Sequence, residues 1–290
     1  MTSSTQLPVI KNAGCLIIGD EVLNGKILDT NSYNFAKFCF NNLSIPLKRT
    51  IVCGDETDDI VTSLNNLISQ DNIDFIVTSG GLGSTHDDIT YKVIADYFDL
   101  DYALDQEVVD RMQKLRKEYL SKLNEDQLNA FYKMATLPTE KFGSQTKVRK
   151  IFVDDELWFP IVVINEQIYI LPGIPQLFTR LVNDLETYLK PRINSNNLIR
   201  RYVLTKTGES GLAPYLTKLQ NDCDLKYGKG VLKIGSYPHM GQKVNTISVI
   251  ANNLQNSEID WVVKNLLENV GGNAKQISQA EEDEIVNGKN

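Results

Sequence analysis

The segment Thr78-Ser79-Gly80-Gly81-Leu82-Gly83-Ser84-Thr85-His86-Asp87-Asp88-Ile89-Thr90 offers the richest chemistry in the chain. Gly80, Gly81 and Gly83 permit positive φ and close backbone approach, so peptide N–H groups can converge on a phosphate at the mouth of a following helix. No Gly-Lys-Ser/Thr follows, which rules out a Walker loop. His86 stands where the dinucleotide fingerprint needs its third glycine. Ser79, Gly80, Gly81, Gly83, Ser84 and Thr85 are therefore the expected substrate contacts. A second turn, Leu171-Pro172-Gly173-Ile174-Pro175, can add a backbone wall through Pro172 and Gly173.

Carboxylates gather at comparable places: Asp20 and Glu21 after one apolar run, Asp55 after a second, Asp87 and Asp88 after a third. Three strand ends facing one crevice would crowd these charges, which is costly unless a cation compensates. A hard, oxygen-liganded divalent ion (Mg²⁺, Mn²⁺ or Co²⁺) resolves the crowding and can bridge diphosphate oxygens. Asp20, Asp55 and Asp88 are the expected metal ligands, and Asp55 and Asp88 the expected catalytic carboxylates. Asp58 and Asp59 are read instead as charges at a helix start, and His86 as a polar helix-start residue.

The elements that must position these groups follow from periodicity. Gly14–Ile18, Pro46–Val52 and Ile73–Thr78 are apolar strand runs, while Asn31–Leu43, Asp58–Ser69 and Ile89–Phe98 carry apolar residues at helical spacing. Strand and helix alternating at this pace predict crossover units and a parallel sheet covered on both faces, with ligands at the strand C-termini. Residues 106–134 are charged and helical with a break near Asn124, an expected flap or dimer arm. Leu157–Ile164 and Gln167–Leu171 predict a hairpin around Asn165-Glu166, and Ile174–Leu189 an amphipathic helix stopped by Pro191. Trp158 and Trp261 sit in apolar patterns and are expected in the core.

Residues 199–272 predict a small α+β module, and 273–290, with Glu281-Glu282-Asp283-Glu284, a frayed tail. The domain boundaries expected are therefore 13–192 and 199–272. With 37 acidic against 30 basic side chains the net charge is -7, which argues against a polyanion-coating role. Cys15, Cys39, Cys53 and Cys223 are widely spaced with no C-x-x-C pair, as expected of reduced thiols. No leader pattern or run of roughly 18 apolar residues is present. The expected setting is cytoplasmic, without membrane or nucleic-acid partners.

Gly19-Asp-Glu-Val-Leu-Asn-Gly25 with Asp29-Thr-Asn31, then Gly54-Asp55, then Gly80–Thr90, then Leu171–Pro175, occur in an order and spacing that resembles the CinA-type molybdopterin-binding-like domain, also found at the front of eukaryotic FAD synthases. The match spans about 13–190. Thr207-Gly-Glu-Ser210, Ala213-Pro-Tyr-Leu216 and Ile234-Gly-Ser-Tyr-Pro238 are similar to the small companion domain of the same proteins. The resemblance implies a three-layer α/β/α fold with a mostly parallel sheet. In the stand-alone fungal form it implies metal-dependent cleavage of FAD and related diphosphates. The acidic positions of molybdopterin-handling relatives fall on Asp55 and Asp88. Ser84 replaces the family's proline and adds a donor, and Gln176 replaces an acidic residue; neither change removes the carboxylates.

The expected activity is metal-dependent hydrolysis of FAD to FMN and AMP, extending to ADP-ribose-like diphosphates. The alternative is a molybdopterin-binding module in molybdenum-cofactor assembly. Neither the adenylate-transfer domain of FAD synthases nor the deamidase domain of bacterial CinA follows, so the front domain is expected to carry the chemistry. Self-association is expected too, because Leu115, Leu120, Leu128, Phe131 and Met134 present apolar surface on the 106–134 segment.

Overall fold

The computed structural model describes residues 7–193, 198–286 and 288. The chain divides into two compact units between Asn194 and Ser195.

In the first unit, β1 (Ala13–Ile18) leads through the single turn α1 (Asp20–Leu23) to α2 (Asn31–Asn41). Then come β2 (Leu47–Cys53), α3 (Thr57–Asn65), β3 (Phe75–Ser79) and α4 (Thr90–Tyr97). An excursion follows: β4 (Asp101–Leu104), α5 (Gln106–Leu115), α6 (Lys117–Leu120), α7 (Glu125–Lys133) and β5 (Thr136–Thr139). The unit ends with β6 (Val148–Ile151), β7 (Ile161–Ile164), β8 (Ile168–Leu171), α8 (Pro175–Asp184) and α9 (Glu186–Leu189). The six-stranded sheet runs β2-β1-β3-β8-β7-β6. Strands β2, β1, β3 and β8 are parallel, and β7 and β6 antiparallel.

Every residue of β1 is buried because both faces of the sheet are covered. Its alternation splits the core in two. Cys15 and Ile17 join Phe35 and Phe38 of α2 and Phe178 and Leu181 of α8. Leu16 and Ile18 join Ile60 and Leu64 of α3, Ile94 of α4 and Met112 of α5. These are the two helical layers of an α/β/α sandwich. The β7–β8 hairpin turns at Asn165 and Glu166, with φ of 52° and 56°, the doubly left-handed turn that matches strand twist.

The 106–134 segment breaks where its sequence indicates, since Asn124 caps α7 in a reciprocal capping box with Gln127. It is not a free arm. Val108, Val109 and Met112 are buried, and Leu120, Phe131 and Met134 pack against the same core. Leu120, Phe131 and Met134 are thus partly covered by the chain itself, while Leu115 remains exposed. The β4–β5 ribbon that clamps its ends has four residues per strand, too few for periodicity to mark it in the sequence.

The second unit contains β9 (Leu198–Thr205), α10 (Glu209–Tyr227), β10 (Leu232–His239), β11 (Val244–Asn252), α11 (Asn256–Asn269), β12 (Lys275–Ile277) and α12 (Gln279–Val286). Its antiparallel sheet has the order β10-β11-β9-β12. The described part of the tail expected to fray is ordered through Val286: β12 adds to the free edge of β9, α12 follows, and Ile277 is buried. A three-residue strand is too short to show periodicity, so only that unpaired edge could have revealed it. Trp261 is also not a core residue. It is 40% exposed, with the Lys226 ammonium 4.4 Å from its ring centroid.

All four cysteines are free and buried. Burial pushes the Cys53 and Cys223 thiols up to about 11, so they behave as small apolar groups. Among the described residues no helix is long and apolar enough to cross a membrane.

Gly208-Glu-Ser-Gly211 has the G-x-x-G spacing by which KH domains clamp a nucleic-acid backbone. Here it follows β9 and opens α10, and Glu209 accepts a hydrogen bond from Ser236 at 3.0 Å. Residues 199–272 carry nine basic and six acidic side chains. So few cations release few counterions, and no saturable oligonucleotide binding is expected at about 150 mM salt; a Kd tighter than about 10⁻⁶ M in a labelled-oligonucleotide titration would overturn this.

Candidate functional site

Three loops at the C-terminal edge of the parallel strands are tied together by one side chain. Asn31, the first residue of α2, is 6% exposed. Its Nδ2 donates to Ser79 Oγ at 2.9 Å and to the Gly173 carbonyl at 2.8 Å. Asp29 Oδ1 fixes the start of α2 by accepting from the N–H groups of Asn31 and Ser32. Asn31 Oδ1 is buried and has no partner, a state costly enough to mark a place where a ligand donor belongs.

The glycines are required by contact as much as by φ. A Cβ on Gly80 (φ +114°) would lie 2.0 Å from the Ile18 carbonyl oxygen, and one on Gly81 (φ +65°) 2.2 Å from Thr90 Oγ1. At Gly83 it would lie 2.4 Å from Asp88 Oδ2, and at Gly173 3.2 Å from Gly80 Cα. Thr90 Oγ1 donates to the Gly80 carbonyl at 2.9 Å, holding the loop against α4. The backbone N–H groups of Gly81, Leu82 and Gly83 make no hydrogen bond to a described residue.

These loops border a cavity of about 520 Å³. Its wall includes Glu21, Asp29, Asn31, Ser79, Gly80, Gly81, Gly83, Asp88, Pro172 and Gly173. Aliphatic and aromatic groups complete it: Ile27, Leu28 and Ile174 from the loops, Met134, Trp158 and Phe159. Arg116, at the junction of α5 and α6, also reaches the wall. Trp158 packs on Phe159 and Phe131 with centroids 4.9 Å and 5.7 Å away. It therefore serves both the core, as its apolar context implies, and the cavity.

The carboxylates fall into two groups. Asp55 Oδ2 accepts from the Asp20 N–H at 2.9 Å, and Asp20 Oδ1 would be 2.7 Å from a Cβ on Gly54, so that glycine gives the pair room. Burial, then the neighbouring charges of Glu21, Asp20 and Asp87, hold the Asp55 carboxyl above its ordinary range, against the lowering effect of the Asp20 N–H. Asp88 instead turns into its own loop, accepting from Thr85 N at 2.9 Å and Thr85 Oγ1 at 2.5 Å. The Thr85 carbonyl is bonded in turn by Lys133.

Asp20, Asp55 and Asp88 are thus not drawn to one point, and among the described residues no set of three His, Cys, Asp or Glu is poised as a metal cage. A Mg²⁺-like ion requires no such cage, being held usually by one or two carboxylates together with substrate phosphates and water. Glu21 and Asp88 are the two carboxylates on the wall that could serve such an ion, and Asp55 stands outside it.

Of the expected contacts, Ser79, Gly80, Gly81, Gly83, Pro172 and Gly173 line the cavity, as does Asp88. Ser84, Thr85, Asp20 and Asp55 lie outside its wall, and the His86 side chain is 98% exposed. Asn31, Arg116 and Trp158 were missed as site residues. The Asp29-Thr-Asn31 motif was the available signal for the first; no local signal marks the other two.

Residues 14–194 match the family described as "Probable molybdopterin binding domain". A "Probable FAD synthase" of Caenorhabditis elegans is 26% identical over 284 residues, covering 94% of this chain and 52% of that protein. A "CinA-like protein" of Chloroherpeton thalassium is 39% identical over 103 residues, covering 36% and 24%. The chain spans about half the length, or less, of these curated relatives. Among solved structures, CinA from Thermoplasma acidophilum, titled as of unknown function, is similar with a TM-score of 0.51 and 25% identity, covering 62% of this chain and 98% of that one.

Proposed function

From the premise that this chain belongs to the molybdopterin-binding-domain family, we propose that it is an enzyme of FAD metabolism that hydrolyses the FAD diphosphate to FMN and AMP with a divalent metal ion. The observation that carries this reading is that loop N–H groups without a described partner, Asn31 Oδ1 and carboxylates meet an apolar aromatic wall in one cavity. Phosphate needs the first, a flavin or adenine ring the last. The likeness to a probable FAD synthase along nearly the whole chain supports a flavin nucleotide as ligand.

In this reading Gly81, Leu82 and Gly83 donate N–H groups to phosphate oxygens and carry charge that develops as the P–O bond breaks. Asn31 Oδ1 accepts from a ligand hydroxyl or N–H. Leu28, Ile174 and Trp158 exclude water from the ring. Glu21 and Asp88 on the wall would hold the metal together with phosphate oxygens and water, and Asp55, whose charge Glu21 feels, would add to the field there; the metal supplies Lewis acidity at the phosphoryl oxygens. Water adds to one phosphorus and the bridging oxygen leaves with the other phosphate, balancing as FAD plus water to FMN plus AMP.

Flavin fluorescence tests it, because stacked adenine quenches FAD and not FMN. Fluorescence is expected to rise with Mg²⁺, Mn²⁺ or Co²⁺ and to stay flat in chelator. No rise with any of the three, in protein shown to be folded, would count against hydrolysis. The family description would then favour a second reading, a pterin-binding module without turnover.

A further inference from the structure

An anionic diphosphate entering this cavity meets the carboxylates of Glu21, Asp29 and Asp88, and one cationic side chain among the described residues of its wall, Arg116. We propose that Arg116 is the phosphate-holding cation of the site, a residue that recognises a nucleotide through its phosphate and not through its base. This rests on the reading of the cavity as a nucleotide site.

The placement of Arg116 is built by the core. Helix α5 is anchored by Val108, Val109 and Met112, all buried. Arg116 follows at its C-terminal end, where its N–H donates to the Met112 carbonyl at 2.8 Å and its own carbonyl accepts from Leu120 N–H at 2.9 Å. Its backbone is thereby held while its side chain stays exposed. Among the described residues the guanidinium has no ion-pair or hydrogen-bond partner. Two other cations of the 106–134 segment are already engaged. Arg111 stacks 3.7 Å from the Phe152 ring centroid and approaches Glu107 and Asp155, and Lys133 is bonded to the Thr85 carbonyl.

A guanidinium presents planar paired donors that match two phosphate oxygens, which an ammonium cannot reproduce. An uncommitted arginine on a wall whose other charged residues are acidic offsets the repulsion that the carboxylates impose on a phosphate. The packed-down 106–134 segment thus delivers to the wall a charge that the wall residues of the three strand-end loops lack.

The test compares ligands that differ by one phosphate and cannot be turned over at a diphosphate. FMN against riboflavin, and AMP against adenosine, are titrated by fluorescence anisotropy or calorimetry with Mg²⁺ present, using the full chain. The parent protein is expected to prefer the phosphorylated member of a pair. Arg116→Ala should reduce that preference by roughly ten- to a hundredfold, the size of one charge-assisted contact, with riboflavin and adenosine binding unchanged. Arg116→Lys should recover only part of it. An unchanged thermal midpoint excludes loss of fold.

If the parent prefers FMN and Arg116→Ala keeps the full preference, the assignment of Arg116 is overturned and the flavin-nucleotide reading stands. If flavins fail to bind but AMP binds in an Arg116-dependent way, Arg116 is upheld and the flavin reading falls. If none of the four binds, both fall.

Discussion

Asp55→Asn and Asp88→Asn are each expected to lower FAD turnover about 10²- to 10³-fold, the range typical of removing one electrostatic contributor from a reaction centre. The two should differ in stability. Asp55 Oδ2 accepts from the Asp20 N–H, a role that an asparagine carbonyl can keep, while the substitution removes a charge crowded by Glu21, Asp20 and Asp87. A carboxyl raised above its ordinary value of 3.8 binds its proton more tightly in the folded chain than in the unfolded chain. Its contribution to stability therefore falls as pH rises from that value through the raised folded value, and the loss is complete above it. Asp55→Asn should accordingly melt higher than the parent at pH 7, with the gap closing as both are acidified. Asp88→Asn retains an acceptor for Thr85 and should melt close to the parent. Unfolding of either variant, with full activity per folded molecule, would mark that aspartate as structural.

Gly80→Ala is expected to have the largest effect on the fold of the site. The added Cβ would overlap the Ile18 carbonyl at 2.0 Å, a main-chain atom at the end of β1 that cannot move without disturbing its neighbouring strands. Strain at φ +114° adds to the overlap, and together they cost roughly 2 to 6 kcal/mol. Because Gly173 is seated against Gly80 Cα and Asn31 bridges to Gly173, displacement spreads to all three loops, and ligand binding should be lost even where the chain still folds. Gly241→Ala is the control. Nothing lies within 4 Å of its Cβ position, and its cost should stay within about 0.5 kcal/mol. Denaturant unfolding and FMN titration of both variants check the pair; an unperturbed Gly80→Ala would mean that the loop is plastic.

Apolar strand runs alternating with segments of helical spacing make the α/β/α sandwich legible in the sequence. The unbroken apolar run of β1, buried on both faces, and the face of α2 bearing Phe35 and Phe38 are local patterns that report their own burial. The glycine loop was legible for a similar reason, since backbone close approach demands glycine wherever it occurs. Other features left weak local traces. The strand β12 is three residues long, the β4–β5 ribbon four per strand, and Trp261 has an apolar context while remaining partly exposed.

The site shows the same division. Its residue types were determined by the sequence: glycines for the loop turns, carboxylates at strand ends, and an Asp29-Thr-Asn31 start to α2. Tertiary structure alone decided which of them meet. It separated Asp88 from the Asp20–Asp55 pair, put Asn31 beside Gly173 across 142 residues of chain, and carried Arg116 and Trp158 to the wall on two further segments. Periodicity is a property of neighbours along the chain. Convergence at a cavity is set by how separate helices and strands pack, so a lone arginine or tryptophan carries no sign of it until the core is assembled.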